Sequence, residues 1–585
     1  MPRFRTIWRV AAYATAATAV GAAGCTAVCL WSERHVAALD WQRDPLKEDL
    51  VIVGAGWGAV AALQSLGSSP ARSPYNVTVV ADRDHFLFTP LLPSAAVGTL
   101  QVASLATPMR WLCTRAGARF LLARAVDVDV ARGVLVCESL DSIAEPAVQA
   151  DGVATPSDKN LAPATPRRFE VAYDKLVLAV GATNNTFGTP GVTENCHFLK
   201  SADDVKAIKA HTARLFEEAA LPSASTQDRK RLLHFVIVGG GPTGVEIAAE
   251  LRDYVEDDLS KLFPKLVQED FCLSLVQSGD HILNTYDLKI SEYAERKFSA
   301  RNINLLLHSR VKAVTPTHLQ YTDAHRTLQT LPYGLCVWST GIAANPLVQQ
   351  IAKALPEQEN RKALTIDSHM RVLGTGEDKK LIFAVGDCTT TSTRRALDSL
   401  EELFRQADTD GSGCLSREEL VVAFDSMVRK FPHMRVHLKK VHQLFDRFDA
   451  NRDGQLSIDE FRTLLADVDA NLKSYPATAQ VAVQQGQFLG GMLARLHAST
   501  QDARWGCNEL NEQPSFAYRH LGSMAYVGSE DAVIDWDHGF VTEGAATFWL
   551  WKSVYLSEQV STRTRVLLAW DWARTFFFGR DVSSC

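Results

Sequence analysis

Two glycine loops on this chain could cradle phosphate, Gly54-Ala55-Gly56-Trp57-Gly58-Ala59 and Gly239-Gly240-Gly241-Pro242-Thr243-Gly244. Each directly follows an apolar run of strand type, residues 50–53 and 235–238. In such a loop the first glycine (Gly54, Gly239) allows a tight turn and the second (Gly56, Gly241) admits a pyrophosphate. A small third residue (Ala59, Gly244) lets the next helix lie close to the sheet. That helix offers unpaired N–H groups to the phosphate charge. One loop alone is weak evidence; a second copy in the same strand-to-helix setting implies two dinucleotides on one protein.

Carboxylates supply the next chemistry. Asp387 ends the apolar run 381–385 in a Gly-Asp turn, the arrangement by which many flavoproteins present one carboxylate to the ribityl hydroxyls of FAD. An ordinary strand-end turn is its other reading. Further on, Asp408, Asp410, Ser412 and Glu419 occupy the first, third, fifth and twelfth places of a twelve-residue calcium loop. Gly413 takes the sharp sixth place and the Cys414 carbonyl the seventh. Asp449, Asn451, Asp453, Gln455 and Glu460 repeat the pattern, with Leu415 and Leu456 at the eighth places, where paired loops join through a short strand contact. This is an EF-hand pair with two Ca2+ sites. Bidentate Glu419 and Glu460 favour calcium over magnesium, and both a regulatory and a permanently filled structural site fit.

These groups need a frame. At 585 residues the chain suggests about three or four domains. Its 46% hydrophobic and 22% charged composition is that of a globular protein. A formal charge of -6 and the absence of a basic run exclude a nucleic-acid footprint. The eleven cysteines include no C-x-x-C pair, so neither zinc nor a redox-active disulfide is expected. Cys113, Cys137, Cys196, Cys272 and Cys336 read as small buried apolar residues. Runs 50–53 and 77–80 form a first βαβ unit, 120–136 a hairpin, and 143–168 a surface insertion. Order resumes with a buried strand at 175–180, turning at Gly181. A second unit, 233–341, repeats the logic with strands at 272–276 and 336–338, so one nucleotide unit lies inside the other.

The two ends differ from this frame. Arg3, Arg5 and Arg9 precede an apolar run, 10–31, that reads as a mitochondrial presequence, cleaved or retained as an anchor; a secretory signal has similar features. Near the other end, Phe548, Trp549, Trp551, Tyr555, Leu567, Leu568, Trp570, Trp572 and Phe576 to Phe578 interleave with Lys552, Arg563, Arg565, Arg574 and Arg580. A basic aromatic segment of this kind is expected to lie on a membrane, and it has no 20-residue apolar run with which to cross one.

Residues 86–94 (with Thr89 and Pro90), 240–246, 337–341 (with Thr340 and Gly341), the Gly386-Asp387 turn and a helix carrying Gln480 and Gln484 together resemble the type II NADH dehydrogenases. The EF-hand insertion resembles their calcium-dependent external mitochondrial members. The resemblance implies an α/β fold of two Rossmann-like dinucleotide-binding domains with an inserted all-α EF-hand pair and a C-terminal amphipathic membrane-binding region. It divides the chain into a targeting segment (1–45), an FAD-binding domain in three parts (46–200, 371–394, 475–530), an NAD(P)H-binding domain (201–370), the EF-hand pair (395–474) and the membrane region (531–585). It also implies non-proton-pumping electron transfer from NAD(P)H through FAD to ubiquinone, on the mitochondrial inner membrane at its intermembrane-space face, by a homodimer.

By the same resemblance Gly54, Gly56, Ala59, Thr89, Pro90, Gly181 and Asp387 hold FAD, with Asp82 on its ribose. Gly239, Gly241, Gly244, Thr340 and Gly341 hold the nicotinamide nucleotide, Glu246 orients its nicotinamide end, and Gln480 and Gln484 line the quinone pocket. One position departs from the pattern. Gln277 stands where NADH-specific relatives carry an acid that repels a 2′-phosphate, so NADPH oxidation is expected. A calcium-gated reductase of a soluble protein acceptor, and a non-catalytic calcium-responsive scaffold, remain open as other readings.

Overall fold

The computed structural model describes residues 41–67, 75–140, 166–375, 380–391, 400–421, 441–449, 451–470, 475–499, 507–536 and 540–582. The N-terminal run 10–31 and nearly all of the 143–168 insertion lie outside the described residues.

Strand β1 (Glu48–Val53) leads through the first glycine loop into α1 (Trp57–Ser65) and then β2 (Tyr75–Ala81). β3 (Arg119–Asp129), β4 (Val134–Ser139), β5 (Arg168–Ala172) and β6 (Lys175–Leu178) follow. Order therefore returns at Arg168, earlier than the sequence pattern indicates. β5 was illegible because, as an edge strand, it leaves four of its five residues exposed and shows no apolar run. The strand itself stops at Leu178, and Ala182–Asn184 is a separate strand.

The inner unit repeats the pattern with β7 (His234–Val238), α2 (Pro242–Tyr254), β8 (Cys272–Val276), β9 (Ile303–Leu306) and β10 (Leu335–Trp338). Its sheet is parallel in the order β9–β8–β7–β10. A three-stranded antiparallel meander, Arg310–Val314, His318–Thr322 and Leu328–Pro332, fills the connection before β10. The chain then returns to the outer sheet at β11 (Leu381–Ala384), giving the order β11–β6–β1–β2–β3–β4–β5. Its first five strands are parallel, and the first four of them are buried on both faces, which is why they read as apolar runs, whereas β3 alternates buried and exposed residues. The two segments joining the units, Ala182–Asn184 and Ile342–Ala344, pair antiparallel with each other.

Helix α3 (Ala479–Ser499) lies directly on α1. A Cβ on Gly486 would strike the Gly58 carbonyl, and one on Gly490 the Ala62 carbonyl, so glycines set this close approach. The EF-hand module has its own core, built from Leu403, Phe404, Leu415, Phe445, Leu456 and Phe461. Leu415 and Leu456 pair across the two loops as their spacing predicts. A further three-stranded meander, Ser523–Tyr526, Ala532–Trp536 and Phe540–Gly544, precedes α4 (Ala545–Ser557) and α5 (Thr562–Phe578). No helix among the described residues is long and apolar enough to cross a membrane.

The cysteine expectation needs correction. Cys113, Cys137 and Cys336 are buried, but Cys196 and Cys272 are half-exposed, and Cys196 Sγ lies 3.3 Å from Cys336 Sγ. The two are 140 residues apart, so spacing could not reveal the contact.

Candidate functional site

The parallel register places the carboxyl ends of β1, β6 and β11 side by side, so Gly54, Gly181 and Gly386-Asp387 all leave the sheet at one edge. Gly54 has φ +126°, and a Cβ there would run into the Ala179 carbonyl. α1 starts at Gly56 with no side-chain cap, so its first N–H groups remain available to an outside acceptor. Ala59 is buried behind it. A Cβ on Gly56 would meet only an Arg83 guanidinium nitrogen, 3.8 Å away. Half-buried Arg83 donates no hydrogen bond among the described residues, whereas Asp82 beside it is exposed. An uncapped helix start, open space and an unpaired cation fit the pyrophosphate of FAD.

Asp387 completes this edge. Burial pushes its carboxyl up, opposed by the charge of Lys200, whose ammonium donates to the Ala182 carbonyl. The Gly386 N–H donates to Gln485 Oε1 at 2.7 Å, so α3 holds the turn that aims the carboxylate. Thr89 accepts a hydrogen bond from the Trp57 indole at 3.1 Å, and Pro90 follows it in a short turn, Thr89–Leu91.

The inner loop repeats this geometry. Gly239 has φ +112° and would press a Cβ against Thr340; α2 starts at Gly241 without a side-chain cap, and a Cβ on Gly241 would meet nothing within 4 Å. A Cβ on Gly244 would strike the Gly239 carbonyl. Gly341 follows Thr340 at φ +77°. Gln277 folds back on the loop: its Oε1 accepts from the Gly240 N–H at 3.1 Å, and its Nε2 donates to the His281 carbonyl at 3.2 Å.

Glu246, on α2, is buried and accepts the Tyr526 N–H at 3.2 Å. Burial pushes its proton affinity up to about 8, against the pull of that N–H and with the push of Glu250. Glu250, one turn further, accepts from the Ser94 hydroxyl and, at 3.4 Å, from the Thr99 hydroxyl. Burial raises its carboxyl, and the charge of Arg580 opposes this. Gln480 and Gln484 on α3 are both engaged. Gln480 Oε1 accepts from the Tyr518 hydroxyl at 2.5 Å and the Leu521 N–H at 3.2 Å, while Gln484 exchanges bonds of 2.7 and 2.9 Å with the Arg519 backbone.

Sequence reasoning missed Arg83, Lys200, Gln485 and Glu250. A signal existed for two of them: Arg83 directly follows the strand-end acid, and Glu250 shares a helix face with Glu246 at i and i+4. Lys200 and Gln485 carried none.

In the EF-hand module, carboxylate oxygens of Asp408, Asp410 and Glu419 lie within 4.8 Å of one another. Ser412 and Cys414 lie between them, the Ser412 hydroxyl donating to the Cys414 carbonyl at 2.9 Å. In the second loop Asn451 and Asp453 share a 2.8 Å bond, Gln455 donates its N–H to Asp453, and Glu460 accepts from Ser457. Asp449 Oδ1 is buried with no hydrogen-bond partner, an orphaned oxygen that a cation would satisfy. Changing Glu419 and Glu460 together to Gln is expected to weaken calcium binding by about tenfold or more, measured by isothermal titration calorimetry.

Residues 48–407 match the model for the pyridine nucleotide-disulphide oxidoreductases, 397–466 that for an EF-hand domain pair, and 520–581 that for the NDH2 C-terminal domain. The chain is 37% identical to the external alternative NAD(P)H-ubiquinone oxidoreductase B2, mitochondrial, of Arabidopsis thaliana, over 92% of this chain and 90% of that one. It belongs to the type II NADH dehydrogenases. It is also 32% identical to the external NADH-ubiquinone oxidoreductase 2, mitochondrial, of Saccharomyces cerevisiae, over 92% and 82% of the two chains. The structure of NDH2 from Plasmodium falciparum in complex with NADH superposes with a TM-score of 0.76 at 26% identity, covering 92% of this chain and all of that one.

The NDH2 C-terminal region of this type II dehydrogenase divides its aromatic residues in a way the sequence did not show. Phe548, Trp551, Tyr555 and Leu568 are buried in the core, and Tyr555 packs edge-on against Phe88. Trp549, Trp570, Phe576, Phe577 and Phe578 are exposed, the last at 83%. Arg580, grouped above with the membrane-facing cations, instead pairs with Asp257 and Asp258 at 3.1 and 2.9 Å.

Proposed function

We propose that the protein oxidises NAD(P)H and reduces ubiquinone as a calcium-stimulated, non-proton-pumping enzyme of the mitochondrial inner membrane. The observation that carries this reading is the meeting of the first glycine loop, Asp387 and the glutamine-bearing α3 at one sheet edge. FAD, when bound, would supply the two-electron chemistry that links NAD(P)H oxidation to quinone reduction. Gly54, Gly56, Ala59, Gly181 and Arg83 hold its pyrophosphate side, Asp82 its ribose, Thr89 and Pro90 flank it, and Asp387 takes its ribityl hydroxyls. Gly239, Gly241, Gly244, Thr340 and Gly341 hold the dinucleotide, with Glu246 behind the nicotinamide end. Gln480 and Gln484, held rigid by residues 518–522, border the quinone opening. The exposed Trp549, Trp570 and Phe576 to Phe578 rest in the lipid interface and bring that opening to the quinone. The enzyme acts as a homodimer on the intermembrane-space face, where calcium entering from the cytosol reaches the EF-hands.

Purified enzyme should bleach its flavin absorbance on adding NADH and regain it on adding a short-chain ubiquinone. Reoxidation by a soluble protein acceptor and not by quinone would overturn the reading. Protease should spare the protein in intact mitochondria and remove it once the outer membrane is ruptured with the inner membrane left sealed; protection in both would overturn the assigned face.

Neutral Gln277 removes the charge that repels a 2′-phosphate, so NADPH is expected to be oxidised at an appreciable rate. Gln277→Glu should lower kcat/KM for NADPH by about tenfold or more while sparing NADH, as initial rates with both donors would report. Unchanged NADPH kinetics would remove Gln277 from nucleotide selection.

A further inference from the structure

Residues 195–197 cross from the outer unit and lay a short strand beside β10. The His197 N–H donates to the Cys336 carbonyl at 2.8 Å, and the Trp338 N–H to the His197 carbonyl at 2.7 Å. This parallel bridge sets His197 opposite Val337. Cys196 and Cys336 are therefore lateral neighbours on adjacent strands, with side chains on the same face. The His197 ring is bonded to the His211 ring at 2.7 Å, which anchors the crossing strand. Neighbouring strands lie about 4.8 Å apart, inside the Cα separation of about 4.4–6.8 Å that a disulfide accepts. The 3.3 Å between the sulfur atoms is the one Sγ–Sγ contact among the described residues. Cys113, Cys137 and Cys388 are buried without a second thiol beside them, and half-exposed Cys272 accepts a bond from Asn304 instead. Within the pair the exposure is unequal: Cys196 is half-exposed, while Cys336 is 1% exposed.

We propose that Cys196 and Cys336 form a reversible redox site that closes to an intrachain disulfide by exchange with a small disulfide such as oxidised glutathione. Cys196, the accessible member, attacks as thiolate. A bond forms between its Sγ and one glutathione sulfur, the glutathione S–S bond breaks, and the first glutathione leaves as thiolate. That thiolate takes up a proton. Cys336 then gives up its proton and attacks Cys196 Sγ, so that the protein S–S bond forms and the mixed disulfide breaks, releasing the second glutathione. The pair has lost two electrons and two protons, and the small disulfide has gained both as two thiols. The disulfide ties the crossing strand to β10, which runs straight into Ser339-Thr340-Gly341 beside the inner glycine loop. It spans 140 residues of sequence, so it constrains the unfolded chain strongly. This inference concerns the frame of the inner unit and is independent of the electron-transfer reading.

The test is a titration of the full-length, FAD-loaded protein with mixtures of reduced and oxidised glutathione, followed by acid quench, alkylation and peptide mass spectrometry. One new disulfide-linked peptide pair joining Cys196 to Cys336 is expected, reversed by dithiothreitol, with unchanged flavin absorbance and a melting midpoint raised by about 5 °C. Cys196→Ser should abolish it, and Cys336→Ser should leave glutathione trapped on Cys196. In the wild-type protein, either a stable glutathione adduct on Cys196 without the linked pair or no reaction at Cys196 would overturn the proposal, whatever the variants do.

Discussion

Asp387→Ala is expected to give a protein that folds but purifies almost colourless. The carboxylate sits where three parallel strands end, held by Gln485 through the Gly386 N–H and faced by Lys200. Each hydrogen bond to a charged group contributes about 1.5–3 kcal/mol, so losing the carboxylate should weaken flavin binding on the order of a hundredfold. The loss also strands Lys200, whose ammonium burial already disfavours and Asp387 stabilises. Asp387→Asn should fall between, keeping an acceptor but no charge. Flavin content from the 450 nm region of the absorption spectrum, together with a dissociation constant from fluorescence quenching, would measure the effect. Full flavin occupancy in the alanine variant would remove Asp387 from the FAD site.

The second large effect belongs to Glu246. Its ordinary value of 4.5 is pushed up to about 8 in the folded protein by burial. Between those two values the native state keeps a proton that the unfolded chain releases, so native stability declines as pH rises from 4.5 to 8 and stays at the lower level above 8. The full cost is on the order of 5 kcal/mol. Glu246→Gln keeps the shape and removes the ionisation, so the variant's melting midpoint should fall less between pH 6 and pH 9 and should exceed that of wild type at pH 9. Its activity is expected to drop by about tenfold or more, and its pH profile to lose the inflection near 8. A variant whose melting curve tracks wild type across that range would show that Glu246 is already ionised in the folded protein.

How much could be read from residues alone follows from the range of the interactions involved. The glycine loops, the Gly-Asp turn and both calcium loops are local: a tight turn or a twelve-residue ligand set is written within a few consecutive residues, and each lies where its spacing placed it. Gln480 and Gln484 were visible as a helix face. Their engagement with residues 518–522 was not, because that contact crosses 35 to 42 residues including an irregular stretch. Arg83 could have been suspected from its place after Asp82. Lys200 could not, since only the return of the chain at 182–200 carries it to Asp387.

The aromatic tail teaches the same lesson from the other side. Composition marked the whole segment as one membrane-seeking surface, yet a helix has several faces, and here one of them had a core to fill. Phe548 and Trp551 pack on Tyr526 and Tyr555 on Phe88, leaving Trp549, Trp570 and the final phenylalanines outside.

The amino-acid order alone marked two nucleotide-type glycine loops and two loops of EF-hand pattern, because such motifs need only short backbone stretches of defined residue type. The tertiary structure decided which charges face them, which half of the tail is surface, and that Cys196 meets Cys336. Those pairings depend on where parallel strands end and how the two units cross, and chain segments more than a hundred residues apart carry no mark of each other until the sheets assemble.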